Sequence, residues 1–203
     1  SDLSRVKVLW ANYPHMPTGA PGSAAVFQAL VDFGRKHNIL IINDNPYSFI
    51  LNEHPRSILA ASGAEEVALE LNSLSKSHNM AGWRVGMVAG HPEYLKSVLR
   101  FKSNMDSGQF QPVQLAAVKA LQLPATWYSE LNAMYRERQQ VAFQILESID
   151  CVFDRQQQGM FVWAKIPDHY ADCYALSDEL LYERHVFLTP GGILGSNGDR
   201  FVP

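Results

Sequence analysis

Four large aliphatic side chains in a row, Ile39-Leu40-Ile41-Ile42, constrain the fold of this chain more than any other segment. Successive residues of a strand point to opposite faces, so an unbroken apolar run predicts a strand covered on both sides. That is the habit of parallel strands flanked by helices. The neighbouring segments fit this frame. Arg5 to Trp10 predicts a short strand, and Ser23 to His37 a helix with Val26, Leu30, Val31 and Phe33 or Gly34 toward one side. Val67 to Leu71 and Val85 to Ala89 offer two more strands. The expected fold class is α/β, part of a mainly parallel sheet flanked by helices.

After His91-Pro92 the pattern turns helical, with proline at a first helical position. Helices are expected over Glu93 to Asn104, Pro112 to Leu121 and Thr126 to Ser148. The last carries Trp127, Leu131, Met134, Val141, Ile145 and Ile149 at roughly helical spacing. From Cys151 a short strand, a stronger one at Met160 to Lys165, a helix near Ala175 to Arg184 and a strand at Val186 to Thr189 suggest a small α+β domain. The expected division is 1–125 as part of a large domain, 126–149 as a connecting helix and 150–203 as a small, truncated C-terminal domain.

Of the 203 residues, 47% are hydrophobic and 18% charged, enough apolar material for a sizeable core. The net charge of -3 comes from interspersed acidic and basic residues. It offers no basic stripe for nucleic acid and no cationic face for a membrane surface. No apolar stretch approaches the roughly 18 residues of a membrane helix, and Ser1-Asp2-Leu3-Ser4-Arg5 lacks the apolar core of a signal peptide. A cytoplasmic protein is therefore expected. Cys151 and Cys173 read as reduced thiols, and the seven scattered histidines predict no metal site.

Two segments carry candidate chemistry. Asp44 follows the aliphatic run by one residue, at the carboxyl edge of a central strand, where open α/β sheets place their ligands. A carboxylate there can pair with a cationic group of a ligand; the spacing alone suits a simple turn at Asn43-Asp44-Asn45-Pro46 equally well. Lys76 lies in Asn72-Ser73-Leu74-Ser75-Lys76-Ser77-His78-Asn79-Met80-Ala81-Gly82-Trp83-Arg84-Val85-Gly86. Hydroxyls at Ser73 and Ser75 and a guanidinium at Arg84 could bind a phosphate beside a nucleophilic amine. Taken singly, these residues also fit a surface turn with a solvated lysine and an exposed ion pair.

The whole run resembles the lysine segment of the fold type I pyridoxal-phosphate aminotransferases, with a serine three residues before the lysine and an arginine eight after. The resemblance implies that Lys76 carries pyridoxal 5'-phosphate as an internal aldimine while Ser73 and Arg84 hold its phosphate, Ser75 being a secondary phosphate candidate. Aspartate, two residues, then tyrosine is the same family's pattern at the strand end. It implies Asp44 on the pyridine nitrogen and Tyr47 on the ring's phenolic oxygen. Asn12-Tyr13-Pro14-His15-Met16-Pro17-Thr18-Gly19 is similar to the family's Asn-Tyr-Pro-Asn-Asn-Pro-Thr-Gly, but Met16 replaces the asparagine that donates to the phenolic oxygen. Methionine cannot donate that bond. Asn12 matches only the earlier asparagine.

Toward the C-terminus, residues 187–195 resemble the family's strand-Thr-Pro-Gly segment. Pro203 stands where the family's carboxylate-binding arginine is expected, and Arg200 is by register a surface residue. The resemblance covers the middle and later part of members about twice this length. It implies a transaminase acting on an amino acid and a 2-oxo acid, with Lys76 as general base, and a homodimeric parent. A β-lyase or decarboxylase with the same anchor residues, and a non-catalytic effector-binding domain or inactive fragment, are the alternatives.

Overall fold

A computed structural model describes residues 2–203. Its first sheet has the order β1-β2-β3-β4, built from Val8–Asn12, Leu40–Asp44, Ala68–Ser73 and Gly86–Gly90. β1, β2 and β3 run parallel, and β4 is antiparallel to β3. The mainly parallel α/β sheet expected from the aliphatic run is present.

Helix α1, Ala24–His37, begins where the Ser23 hydroxyl accepts from the Val26 amide, and it ends at Asn38 in the left-handed conformation. Arg35, Lys36 and His37 place positive charge at its carboxyl end, which complements the helix dipole. Phe27, Val31 and Gly34 form its buried stripe, so Phe27 takes the place anticipated for Val26. These residues pack on Ile39, Ile41, Ile58, Ala64 and Ala68. Full burial of a side chain such as Val31 or Ile41 contributes about 1.5–3 kcal/mol.

The opposite face of the sheet departs from expectation. Leu40 and Ile42 are only half-buried, and their neighbours in register on β1, Val8 and Trp10, are 46% and 59% exposed. The aliphatic run is therefore covered on one face by α1 and left partly open on the other. Ile39 itself precedes the strand and is held by the bond from its amide to Gly34 O.

The short helices α2, Ala64–Val67, and α3, Leu74–Ser77, flank β3, and α3 opens the connection to β4. Helices α4, Pro92–Met105, and α5, Gln111–Leu121, follow. α5 packs Val113, Ala116, Ala117 and Ala120 against Leu74, Met80 and Val85, which secures the connection between β3 and β4.

Helix α6 spans Thr126–Ser148, as its periodicity predicts. Its early turns touch the first sheet's loops, and its later turns bury Phe143 and Leu146 in a second core with Cys151, Val162, Ala164, Ile166, Cys173, Leu176 and Val202. Val141 and Ile145, expected on its apolar side, are 54% and 57% exposed. The second sheet is antiparallel, with order β5-β6-β7 from Val152–Phe153, Ala164–Lys165 and Phe201–Val202, and helix α7, Cys173–Arg184, packs beside it.

Two strand expectations need correction here. Only Ala164–Lys165 of the Met160 to Lys165 segment joins the ladder; just before it, the Gln158 and Gly159 amides bond to Gly19 O and Ile50 O in the loops of the first sheet. Val186 to Thr189 forms no strand: among the described residues it finds no ladder partner, and Val186 and Phe187 stay exposed. Arg200 is also more than a surface residue. Its guanidinium donates to Pro167 O, Tyr170 O and Ala171 O and pairs with Asp168, pinning that loop.

Candidate active site

Parallel pairing puts the carboxyl ends of β1, β2 and β3 side by side, with Asn12 opposite Asp44 and Asp44 opposite Leu71. The residues singled out from sequence emerge from these three ends, the region where sheets of this kind hold ligands. Asn12 is a brace there. Its side-chain amide donates to Asp44 O at 2.6 Å, and its Oδ1 accepts from the Met16 amide at 2.7 Å. The first loop is thus tied to the end of β2 through a residue that the sequence alone marks only by position.

Asp44 is half-buried, and burial pushes its carboxyl above the ordinary aspartate range, with the Trp10 indole partly offsetting this. Tyr47 is buried, at 9% exposure. Burial, and then the nearby Asp44 charge, raise its hydroxyl so that it remains a phenol able to donate a hydrogen bond. Among the described residues that hydroxyl has no hydrogen-bond partner.

Ser73 ends β3 and caps α3, its Oγ accepting from the Ser75 amide at 3.1 Å. One residue after Ser75, Lys76 is half-buried and reaches over the Tyr47 ring, Nζ standing 6.0 Å from the centroid. Among the described residues the amine makes no ion pair. The antiparallel return of the chain sets Gly86 opposite Ser73. A side chain at Gly86 would meet Asn72 O at 2.6 Å, so only glycine lets β4 lie this close. Arg84, two residues earlier, is exposed, adopts the left-handed conformation, and donates to Ala81 O at 3.1 Å.

The second unit reaches this site through residues 157–161. The Gln158 amide donates to Gly19 O and the Gly159 amide to Ile50 O, at 2.9 and 3.0 Å. Phe161 meets the Tyr47 ring edge-on, with centroids 6.2 Å apart. Phe161 lies far from Tyr47 along the chain, so no local pattern marks it. An apolar groove of about 590 Å³ nearby is lined by Leu51, Ile145, Ile149, Val186 and Pro203 among others, and none of the candidate residues borders it.

The structure therefore gathers an unpaired amine, an unpaired phenol, a partly desolvated carboxylate and two hydroxyls at one sheet edge, with a guanidinium on the same connection. Among the described residues no cluster of His, Cys, Asp and Glu could hold a metal, and no helix is long and apolar enough to cross a membrane. Cys151 and Cys173 are buried free thiols.

A lysine, an aspartate and a tyrosine thus meet at the carboxyl edge of a mainly parallel sheet, which defines the candidate site of an α/β protein. The chain belongs to the family described as aminotransferase class I and II, whose profile matches residues 1–201; the cofactor of that family is pyridoxal phosphate. It is 38% identical to the LL-diaminopimelate aminotransferase of Aquifex aeolicus over 199 residues, 97% of this chain and 51% of that protein. Its fold superposes on apo-BacF from Bacillus subtilis with a TM-score of 0.93 and 35% identity, covering 98% of this chain and 51% of the other. For a probable N-succinyldiaminopimelate aminotransferase from Thermus thermophilus the TM-score is 0.89 at 35% identity, with 97% and 53% covered. The chain thus spans about half the length of the relatives it matches.

Proposed function

We propose that this chain is the part of a pyridoxal-phosphate-dependent aminotransferase that carries the covalent anchor, transferring an amino group from an amino acid to a 2-oxo acid. The observation that carries this reading is Lys76 Nζ poised over the Tyr47 ring beside the Asp44 carboxylate. The donor set suits the cofactor: an amine for its aldehyde, a carboxylate for its ring nitrogen, a phenol for its ring oxygen, and Ser73, Ser75 and Arg84 for its phosphate. When bound, pyridoxal phosphate supplies the electron sink that makes the α-carbon of an amino acid acidic.

The chain's own groups do the rest. Asp44, costly to keep charged in its half-buried place, gains a cation to face. Tyr47 stays protonated and donates from Oη. Lys76 Nζ would hold the cofactor through its aldehyde carbon and would accept the proton from the substrate's α-carbon as general base. Met16 offers no second donor to the ring oxygen, so Tyr47 acts there alone.

The named relatives are aminotransferases, which weighs against the lyase, decarboxylase and non-catalytic alternatives. The supported substrate class is an α-amino acid with a 2-oxo acid acceptor, and LL-diaminopimelate belongs in the first panel because relatives of this chain are named for it. A cytoplasmic homodimer is proposed for the whole protein. The exposed apolar side chains of α4 and α5, among them Leu99, Phe101, Met105 and Leu115, support it as surface that a partner would cover. The test is product formation from amino acids with and without an added 2-oxo acid. Turnover that depends on the acceptor supports transamination, and keto-acid release well beyond one equivalent per site without any acceptor contradicts it.

A further inference from the structure

Helix α3, which carries Lys76, is a single turn, too short to fix its own orientation. Its position is set by what grips it from outside, and the first turns of α6 supply the grip. Trp127 Nε1 donates to Ser77 O at 2.8 Å. Tyr128 stacks on Phe49, with ring centroids 4.9 Å apart, and meets the ring of His78 edge-on at 5.6 Å. Asn132 binds both Phe49 O and the Leu51 amide. One stretch of α6 thus holds the lysine turn and the segment that follows Tyr47.

His78 is the joint between these parts. It is 7% exposed and closes α3, its amide bonding to Leu74 O at 3.2 Å. Its Nδ1 lies 2.8 Å from Ser77 Oγ and its Nε2 3.3 Å from Tyr128 Oη. Burial holds the ring below the ordinary histidine range, which favours neutral imidazole with one donor and one acceptor nitrogen. The hydroxyls of Ser77 and Tyr128 can each donate or accept, so they complement either tautomer. An apolar side chain of similar size would fill the space and leave both hydroxyls without this partner.

We propose that His78 is a positioning residue: through Tyr128 it fixes the Lys76 turn against α6 and thereby keeps Lys76 Nζ over the Tyr47 ring. This rests on Lys76 being the cofactor's anchor, and it adds a residue that touches neither cofactor nor substrate.

The test uses His78→Phe, Tyr128→Phe, their double variant and His78→Gln, which keeps a polar group near the position of Nε2. Hydrogen exchange is read in the cofactor-free protein at the amides of His78, Asn79 and Met80, which bond back to Leu74 and Lys76. Each Phe variant is expected to speed that exchange and to lower kcat by about three- to tenfold, with KM moved much less. The double variant should be no worse than the poorer single, and His78→Gln should recover part of the loss. If His78→Phe does not fold, Tyr128→Phe, which removes one oxygen and keeps the stacking, carries the test. Exchange and kcat at wild-type values in Tyr128→Phe, or additive losses in the double variant, would overturn the inference. Failure of Lys76 to take the cofactor label in the unaltered protein overturns the proposed function as well, whereas a labelled Lys76 with an unmoved Tyr128→Phe overturns this inference alone.

Discussion

Lys76 Nζ stands 6.0 Å from the centre of the Tyr47 ring, although the two residues come from different strand ends. Parallel pairing of β2 with β3 brings those ends together, and the one-turn helix after β3 aims the amine. Replacing Lys76 by alanine should abolish covalent retention of the cofactor and lower transamination by at least about 10²-fold, the usual worth of a positioned general base. Ligand binding and steady-state rates, measured separately, check both halves.

Tyr47→Phe should leave the fold intact, because the ring is retained and its hydroxyl has no hydrogen-bond partner among the described residues. Loss of a hydrogen bond to a charged oxygen is worth about 1.5–3 kcal/mol, so the cofactor should dissociate roughly ten- to a hundredfold more readily. Equilibrium dialysis against pyridoxal phosphate measures this.

Asp44 predicts a pH-dependent stability. Burial raises its folded-state pKa, so the folded protein holds this proton more tightly than the unfolded chain. The contribution is present at low pH and is lost as pH rises through the raised pKa. In cofactor-free protein, Asp44→Asn should therefore melt higher than wild type at pH 7, with the gain vanishing as pH falls toward about 4. The same variant should bind the cofactor less well. Melting curves across that pH range give the result.

Gly19 sits at φ +67°, and a Cβ there would meet Gln157 Cβ at 2.6 Å. Gly19→Ala should cost about 1–3 kcal/mol through strain and overpacking. The affected seam is the bond from the Gln158 amide to Gly19 O. Urea unfolding of the variant beside wild type measures the loss.

What could be read from the sequence followed how local the determining physics is. The helical pattern from Ser23 to His37, the helical period through Thr126–Ser148 and the aliphatic run at Ile39 to Ile42 are local signals, and each matches an element in the fold. Val186 to Thr189 has the composition of a strand, but a strand also needs a partner, which composition does not report. Similarly, Ile42 looks fully buried in sequence, yet its burial depends on what lies over Trp10. At the site, Asp44, Tyr47, Ser73, Ser75, Lys76 and Arg84 stand in two short motifs. Asn12, His78, Tyr128 and Phe161 act across long separations, so only the folded chain reveals their contacts.

The most direct measurement is borohydride reduction of the protein with pyridoxal phosphate, followed by peptide mapping. The expected result is loss of the cofactor's visible absorbance and a single phosphopyridoxyl group on Lys76. A cofactor fixed to another lysine, or none fixed at all, would contradict it.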